Sequence, residues 1–143
     1  MSVYNGEKWL NEAVDSILNQ TFKDFEFIVI NDGSNDQTYT ILNSYNDKRL
    51  RIINHKSNRG LTARLNEGLD KSKGKYIARM DADDISLPER FKIQIDFRYN
   101  TNFLKSQKKH HKDLVYNKSL VFYDQEFLVQ LLKKLRQYDF AYL

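Results

Sequence analysis

Trp9, Leu10, Ala13, Val14, Ile17 and Leu18 recur at spacings of three and four, which predicts an amphipathic helix over 7–19. Phe25 to Ile30 is a short apolar run rich in β-branched and aromatic residues, the pattern of a buried strand. It breaks at Asn31-Asp32-Gly33-Ser34-Asn35-Asp36, a dense turn signal. Asp36 or Ser34 can cap a helix over 37–46, in which Ile41, Leu42 and Tyr45 share a face. Leu50 to Asn54 reads as a second strand. After a turn at Ser57-Asn58-Arg59-Gly60, Leu61, Leu65 and Leu69 mark a helix expected to stop near Lys73-Gly74, with Gly74 as the terminator. Tyr76 to Met80 is a third strand, followed by Asp81-Ala82-Asp83-Asp84. Ser86-Leu87-Pro88-Glu89 has the form of a capping box with proline in the first turn, opening a helix that carries Phe91, Ile95 and Phe97.

Strands and helices therefore alternate, which predicts an α/β fold with a mainly parallel sheet flanked by helices. Ligands of such sheets bind at the carboxyl ends of the strands. The acidic clusters at 31–36 and 81–84 both follow strands, so both are expected on the same sheet edge. Beyond 97 the rhythm changes. Leu120, Val121, Phe122 and Tyr123 form a candidate strand, and Phe127, Leu128, Leu131, Leu132 and Leu135 a helical stripe. The expected division is 1–97 and a basic, helical C-terminal extension, 98–143, with Asn100-Thr101-Asn102 as the boundary.

Charge sharpens that division. The 143 residues carry a net +4, but 1–97 contribute −1 and 98–143 contribute +5. A basic extension suits an acidic membrane surface or nucleic acid, or is simply a solvated face. It carries no recognisable nucleic-acid motif, so no nucleic-acid partner is expected. Residues 127–135, with Lys133, Lys134 and Arg136 at their polar edge, fit either a membrane-surface helix or a core-packing one. No apolar run is long enough to span a bilayer, and the N-terminus lacks signal-peptide features. The expected location is cytoplasmic, with a peripheral position at the inner membrane face as an option. The absence of cysteine excludes disulfides, thiolate metal sites and cysteine nucleophiles.

Asp81 and Asp83, at i and i+2 just past a strand, can face one ligand. Oxygen-only donors suit Mg²⁺ or Mn²⁺, which is commonly held by one or two carboxylates plus substrate phosphates. The same residues also make an ordinary acidic, helix-capping turn. Asp32 after a strand can accept hydrogen bonds from a nucleobase or ribose, or form an Asx turn with Gly33 supplying the unusual backbone angle. His110 and His111 lie in a Lys-rich stretch and read as an exposed, inert pair.

Taken together the motifs are more specific. Tyr4-Asn5-Gly6, the helix end Ser16-Ile17-Leu18-Asn19-Gln20-Thr21-Phe22, Asp24-Phe25-Glu26, Asn31-Asp32-Gly33-Ser34, Asn58-Arg59-Gly60-Leu61 and Gly74 to Asp84 form one ordered set. The set resembles the family 2 glycosyltransferases, inverting enzymes with a GT-A nucleotide-sugar-binding fold, over Met1 to about Phe97. The resemblance implies transfer of a sugar from a nucleotide-sugar donor, commonly a UDP-sugar, to a hydroxyl on a glycan or lipid-linked acceptor. It implies that Tyr4 and Asn5 border the nucleobase, that Asp32 contacts it, that Asp83 binds the metal on the diphosphate, and that Asp81 lies near ribose and metal. Arg64 joins the donor-binding set, although relatives commonly place this Arg beside the Asn that aligns with Asn66, where this chain has Leu65.

Two departures from the family pattern qualify the reading. The family has a hydrophobic strand before the Tyr-Asn pair, and Met1 falls inside its end, so neighbouring strands are expected to lose ladder partners. The later half, with acceptor site and catalytic base, is not recognisable in 98–143. Asp113, Asp124, Glu126 and Asp139 are the carboxylates there, and nothing in their context marks one as a base. A nucleotide-sugar-binding module without turnover and an inactive remnant are the alternative readings.

Overall fold

The apolar run before the first acidic cluster becomes the centre of a computed structural model that describes residues 1–96 and the backbone of 122–124. All five residues of this strand, β2 (Phe27–Asn31), are buried. It lies between β1 (Ser2–Val3) and β3 (Leu50–Asn54), parallel to both. The register pairs Val3 with Asn31 and Asn31 with Asn54. The carboxyl ends of the three strands therefore align, and the segments after them start side by side.

Helices α1 (Leu10–Leu18), α2 (Thr38–Ser44) and α3 (Leu61–Lys71) connect the strands. Leu10, Ala13, Val14 and Ile17 of α1 meet Val3, Phe27, Val29, Leu42, Met80 and Phe91 in one core. Burying each of the larger side chains contributes about 1.5–3 kcal/mol. α1 begins three residues later than the expected 7–19, after an opening turn in which the Trp9 and Leu10 N–H groups both donate to the Gly6 carbonyl. The Gly6 N–H donates to Thr38 Oγ1 (2.8 Å) and the Glu7 N–H to Asp36 Oδ2 (3.1 Å). Trp9, expected on the apolar face, ends half exposed beneath the Lys8 ammonium instead. Of the two capping candidates for α2, Asp36 supplies the bond, accepting the Thr38 N–H at 3.0 Å. Ser34 turns its hydroxyl to Asn31.

The third helix departs furthest from its pattern. Its buried residue is Arg64, while Leu61 is exposed and Leu65 and Leu69 are only partly covered. It also stops before Gly74. Ser72 is the C-cap, and the Lys73 and Gly74 N–H groups donate to Glu26 Oε1. The third expected strand forms as β4 (Tyr76–Ala78). It pairs antiparallel with β5 (Phe122–Asp124), with Tyr76 opposite Asp124 and Ala78 opposite Phe122. β5 falls at the strand read from Leu120 to Tyr123.

β1 is only two residues long and pairs with Ile30 and Asn31 alone, so it covers only part of that side of β2, as expected from a chain that starts at the strand's end. The Met1 amino group donates to the Ile28 carbonyl (2.9 Å) and the Ile30 N–H to the Met1 carbonyl (2.9 Å). After β4, Ser86 does not cap the following helix. Its buried hydroxyl donates to Met80 Sδ and accepts from Arg90 Nη1 (2.7 Å). The helix itself opens at residue 90. The readings at Phe97, the boundary 100–102, His110 and His111, the tail carboxylate side chains and the stripe over 127–135 lie outside the described residues.

Candidate functional site

Three segments leave the aligned strand ends and are tied to one another. After β1, Asn5 adopts a left-handed backbone angle (φ 51°), a region asparagine tolerates better than most residues. Its N–H donates to Ser34 Oγ (2.9 Å), and its side-chain oxygen accepts the Asn35 N–H (2.9 Å). Asn31 accepts from Ser34 and donates to Asn54 Oδ1 (2.7 Å), which links the ends of β2 and β3. Tyr4 is half exposed beside this lattice. Gly33 has φ 73°, and a Cβ there would meet the Ser57 backbone at 2.6 Å. The 57–60 loop is thus pressed directly onto the turn after β2.

Asp32 is the anchor of that loop. Only 2% exposed, its carboxylate accepts the Arg59 N–H on Oδ1 (2.9 Å) and the Gly60 N–H on Oδ2 (2.8 Å). Arg64 Nε also donates to Oδ1, at 2.5 Å. The guanidinium is itself buried and fully engaged. It reaches Glu67 Oε2 (3.1 Å) and the Ser57 carbonyl (3.0 Å). Glu67 in turn meets His55 Nε2 (2.8 Å), just past β3. Burial pushes the Asp32 carboxyl upward. The hydrogen bonds from Arg59, Arg64 and Gly60, with the Arg64 charge, outweigh that and hold it below the ordinary carboxylate range. The sequence pattern missed Glu67 and His55. Their spacing from Arg64 and from the end of β3 was visible, but helix phase alone did not show that Arg64 points inward.

The second acidic cluster is built differently. Asp81 and Arg79, about two-fifths exposed, form an ion pair in which Arg79 Nη2 donates to both carboxylate oxygens (2.8 and 3.0 Å). Asp83 is exposed and makes no hydrogen bond or ion pair among the described residues. Burial pushes the Met1 α-amino group down to about 6; the Asp81 charge opposes that fall and the Arg79 charge adds to it. No hydrogen bond or ion pair among the described residues joins the Asp32 group to the Asp81 group. No three His, Cys, Asp or Glu side chains among the described residues cluster as a metal cage. Two accessible carboxylates nevertheless fit a hard cation that keeps water and phosphate in its remaining positions.

Comparisons with known proteins agree with this architecture. The family model described as "Glycosyl transferase family 2" matches residues 1–139. An uncharacterised glycosyltransferase of Haemophilus influenzae is 51% identical over 87 residues, 59% of this chain and 27% of that protein. The putative glycosyltransferase EpsE of Bacillus subtilis is 41% identical over 100 residues, 68% of this chain and 36% of its own. The chain thus spans about a third or less of such relatives. Among solved structures, S. aureus TarS 1–349 in complex with UDP-GlcNAc superposes with a TM-score of 0.67 at 30% identity, covering 71% of this chain and 30% of that one. The fold also matches the mannosyltransferase PcManGT from Pyrobaculum calidifontis, solved with GDP-Man and Mn²⁺, at a TM-score of 0.60 and 22% identity, over 66% of this chain and 29% of that one. These neighbours carry the GT-A architecture, and the parallel sheet with its flanking helices is of that class. Among the described residues, no helix is long and apolar enough to cross a membrane.

Proposed function

Because this chain belongs to glycosyl transferase family 2, we propose that it forms the donor-binding part of a glycosyltransferase. The reaction is transfer of a sugar from a nucleotide-sugar donor, a UDP-sugar, to an acceptor hydroxyl on a glycan or lipid, with inversion. The observation that carries the donor reading is the 30% identity, over 71% of the chain, to a protein solved with UDP-GlcNAc.

In this proposal the half-exposed Tyr4 and the fixed Asn5 border the nucleobase. Asp32 Oδ2, which accepts one hydrogen bond where Oδ1 accepts two, retains acceptor capacity for a base N–H. Arg64 supports that contact by holding Asp32 and the 57–60 loop. Asp83, with Asp81 beside it, holds Mg²⁺ or Mn²⁺ on the diphosphate. When bound, the cation stabilises charge on the departing diphosphate. The acceptor base that inversion requires has no assignment among the described residues. The positive excess of 98–143 supports peripheral association with an acidic membrane surface, which vesicle co-sedimentation tests.

Calorimetric titration with UDP and Mn²⁺, beside an Asp83→Ala variant, tests the donor site. Metal-dependent binding that is lost in Asp83→Ala is expected. A folded chain that binds no UDP with Mn²⁺ present overturns the proposal.

A further inference from the structure

Arg79 has no part in the donor site described so far, yet its guanidinium occupies both oxygens of Asp81. Its backbone is fixed. The Arg79 carbonyl accepts from Arg90 Nη2 (2.7 Å), Arg90 holds Ser86 Oγ (2.7 Å), and the Ser86 N–H donates to Ser16 Oγ of α1 (3.0 Å). The far end of the side chain is not fixed in this way. It is 41% exposed and bonded among the described residues only to Asp81. Arg79 is therefore a cation on a pinned base with an exposed tip that Asp81 alone holds among the described residues.

Resting on the donor-site reading above, we propose that Arg79 is the counter-ion of the empty site. It holds Asp81 until a metal–nucleotide pair arrives, then transfers its charge to the diphosphate. Two physical arguments support this. A divalent cation at Asp81 would share a carboxylate both of whose oxygens Arg79 already contacts, and the two positive charges would repel at that distance, so the two compete. The competition is soft, because an exposed ion pair stabilises weakly, a factor of about fivefold or less. Once displaced, a guanidinium matches phosphate oxygens in geometry as well as charge. Arg79 thus opposes the metal when nucleotide is absent and assists nucleotide when metal is present. Linkage then requires each ligand to raise the affinity of the other. Arg79 meets the donor diphosphate directly in this scheme, and its signature is that coupling.

Free Mn²⁺ is followed by its electron paramagnetic resonance signal, with and without saturating UDP, in the wild-type chain, Arg79→Gln, Arg79→Lys and Asp81→Asn. Expected for Arg79→Gln is Mn²⁺ binding about three- to fivefold tighter without UDP, and a smaller gain on adding UDP. Arg79→Lys restores part of the gain. In the Asp81→Asn background, Arg79→Gln no longer tightens Mn²⁺ binding. Wild-type coupling left unchanged in Arg79→Gln overturns the role of Arg79 while leaving the donor site standing. If the folded wild-type chain binds no Mn²⁺ even with UDP, both the donor reading and this one fail. Circular dichroism confirms that each variant is folded. The exposed position of the side chain makes loss of fold an unexpected result.

Discussion

Asp32 and Asp81 both follow a strand and both meet an arginine, but their surroundings differ. The Asp32–Arg64 pair has side chains 3% and 4% exposed, and every oxygen and nitrogen that forms it has a protein partner. The Asp81–Arg79 pair is about two-fifths exposed, and Asp83 beside it is unengaged among the described residues. A buried charge that loses its partner carries a large desolvation penalty, whereas an exposed one is resolvated by water. The first pair is therefore part of the folded frame, already assembled before any ligand. The second is poised to exchange partners. Similar residue chemistry thus serves two purposes, separated by burial.

The largest effect expected from this contrast is at Arg64. Arg64→Ala should destabilise the chain by about 3–5 kcal/mol, because Asp32 stays buried and loses its compensating cation. Urea unfolding monitored by circular dichroism measures it. The double substitution Asp32→Leu/Arg64→Met should cost less, about 1–3 kcal/mol, since no fully buried charge is stranded: the Arg59 and Gly60 N–H groups lose their acceptor, while the partly exposed Glu67 loses Arg64 but keeps His55 and Lys71. A double variant as unstable as Arg64→Ala would show that packing, not charge, dominates there.

Acid should separate the two clusters next. The Asp32 pKa is depressed in the folded state, so its stabilising contribution is complete above the ordinary carboxylate value near 3.8. The contribution is lost as pH falls through the lower folded value. Urea midpoints between pH 6 and pH 2 should fall less steeply in the Asp32→Leu/Arg64→Met double variant than in the wild type. Equal slopes would mean that the buried pair is not what acid breaks.

The smallest effect is expected at the exposed cluster. Asp81→Asn and Asp83→Ala should each change the urea-unfolding free energy by less than about 0.5 kcal/mol, even where metal-dependent nucleotide binding is lost. A loss of 2 kcal/mol or more at either position would remove the distinction between frame and exchangeable site.

The turn chemistry and apolar periods of the chain determined much of this arrangement unaided. β3 forms over the residues read as a strand, α1, α2 and β2 lie within three residues of their expected bounds, and a strand forms in the tail where one was read. These are local matters, since hydrophobic period and turn residues act over a few positions. The α/β class and the Asp32 cluster at the end of β2 were legible for the same reason, but the expectation that 81–84 shares that sheet edge fails, because β4 ends at Ala78 and pairs with β5 in a separate sheet. Residue pattern alone did not reveal that Arg64, rather than a leucine stripe, is the buried side chain of α3. Nor did it show that Glu67 and His55 extend that network, or that Arg79 covers Asp81. Those outcomes depend on which groups from distant segments are desolvated together. Asp32 and Arg64 are 32 residues apart in sequence, and only the packing of the 57–60 loop against Gly33 brings them into the same dry space, where an arginine with a carboxylate partner replaces leucine as the residue that can be buried.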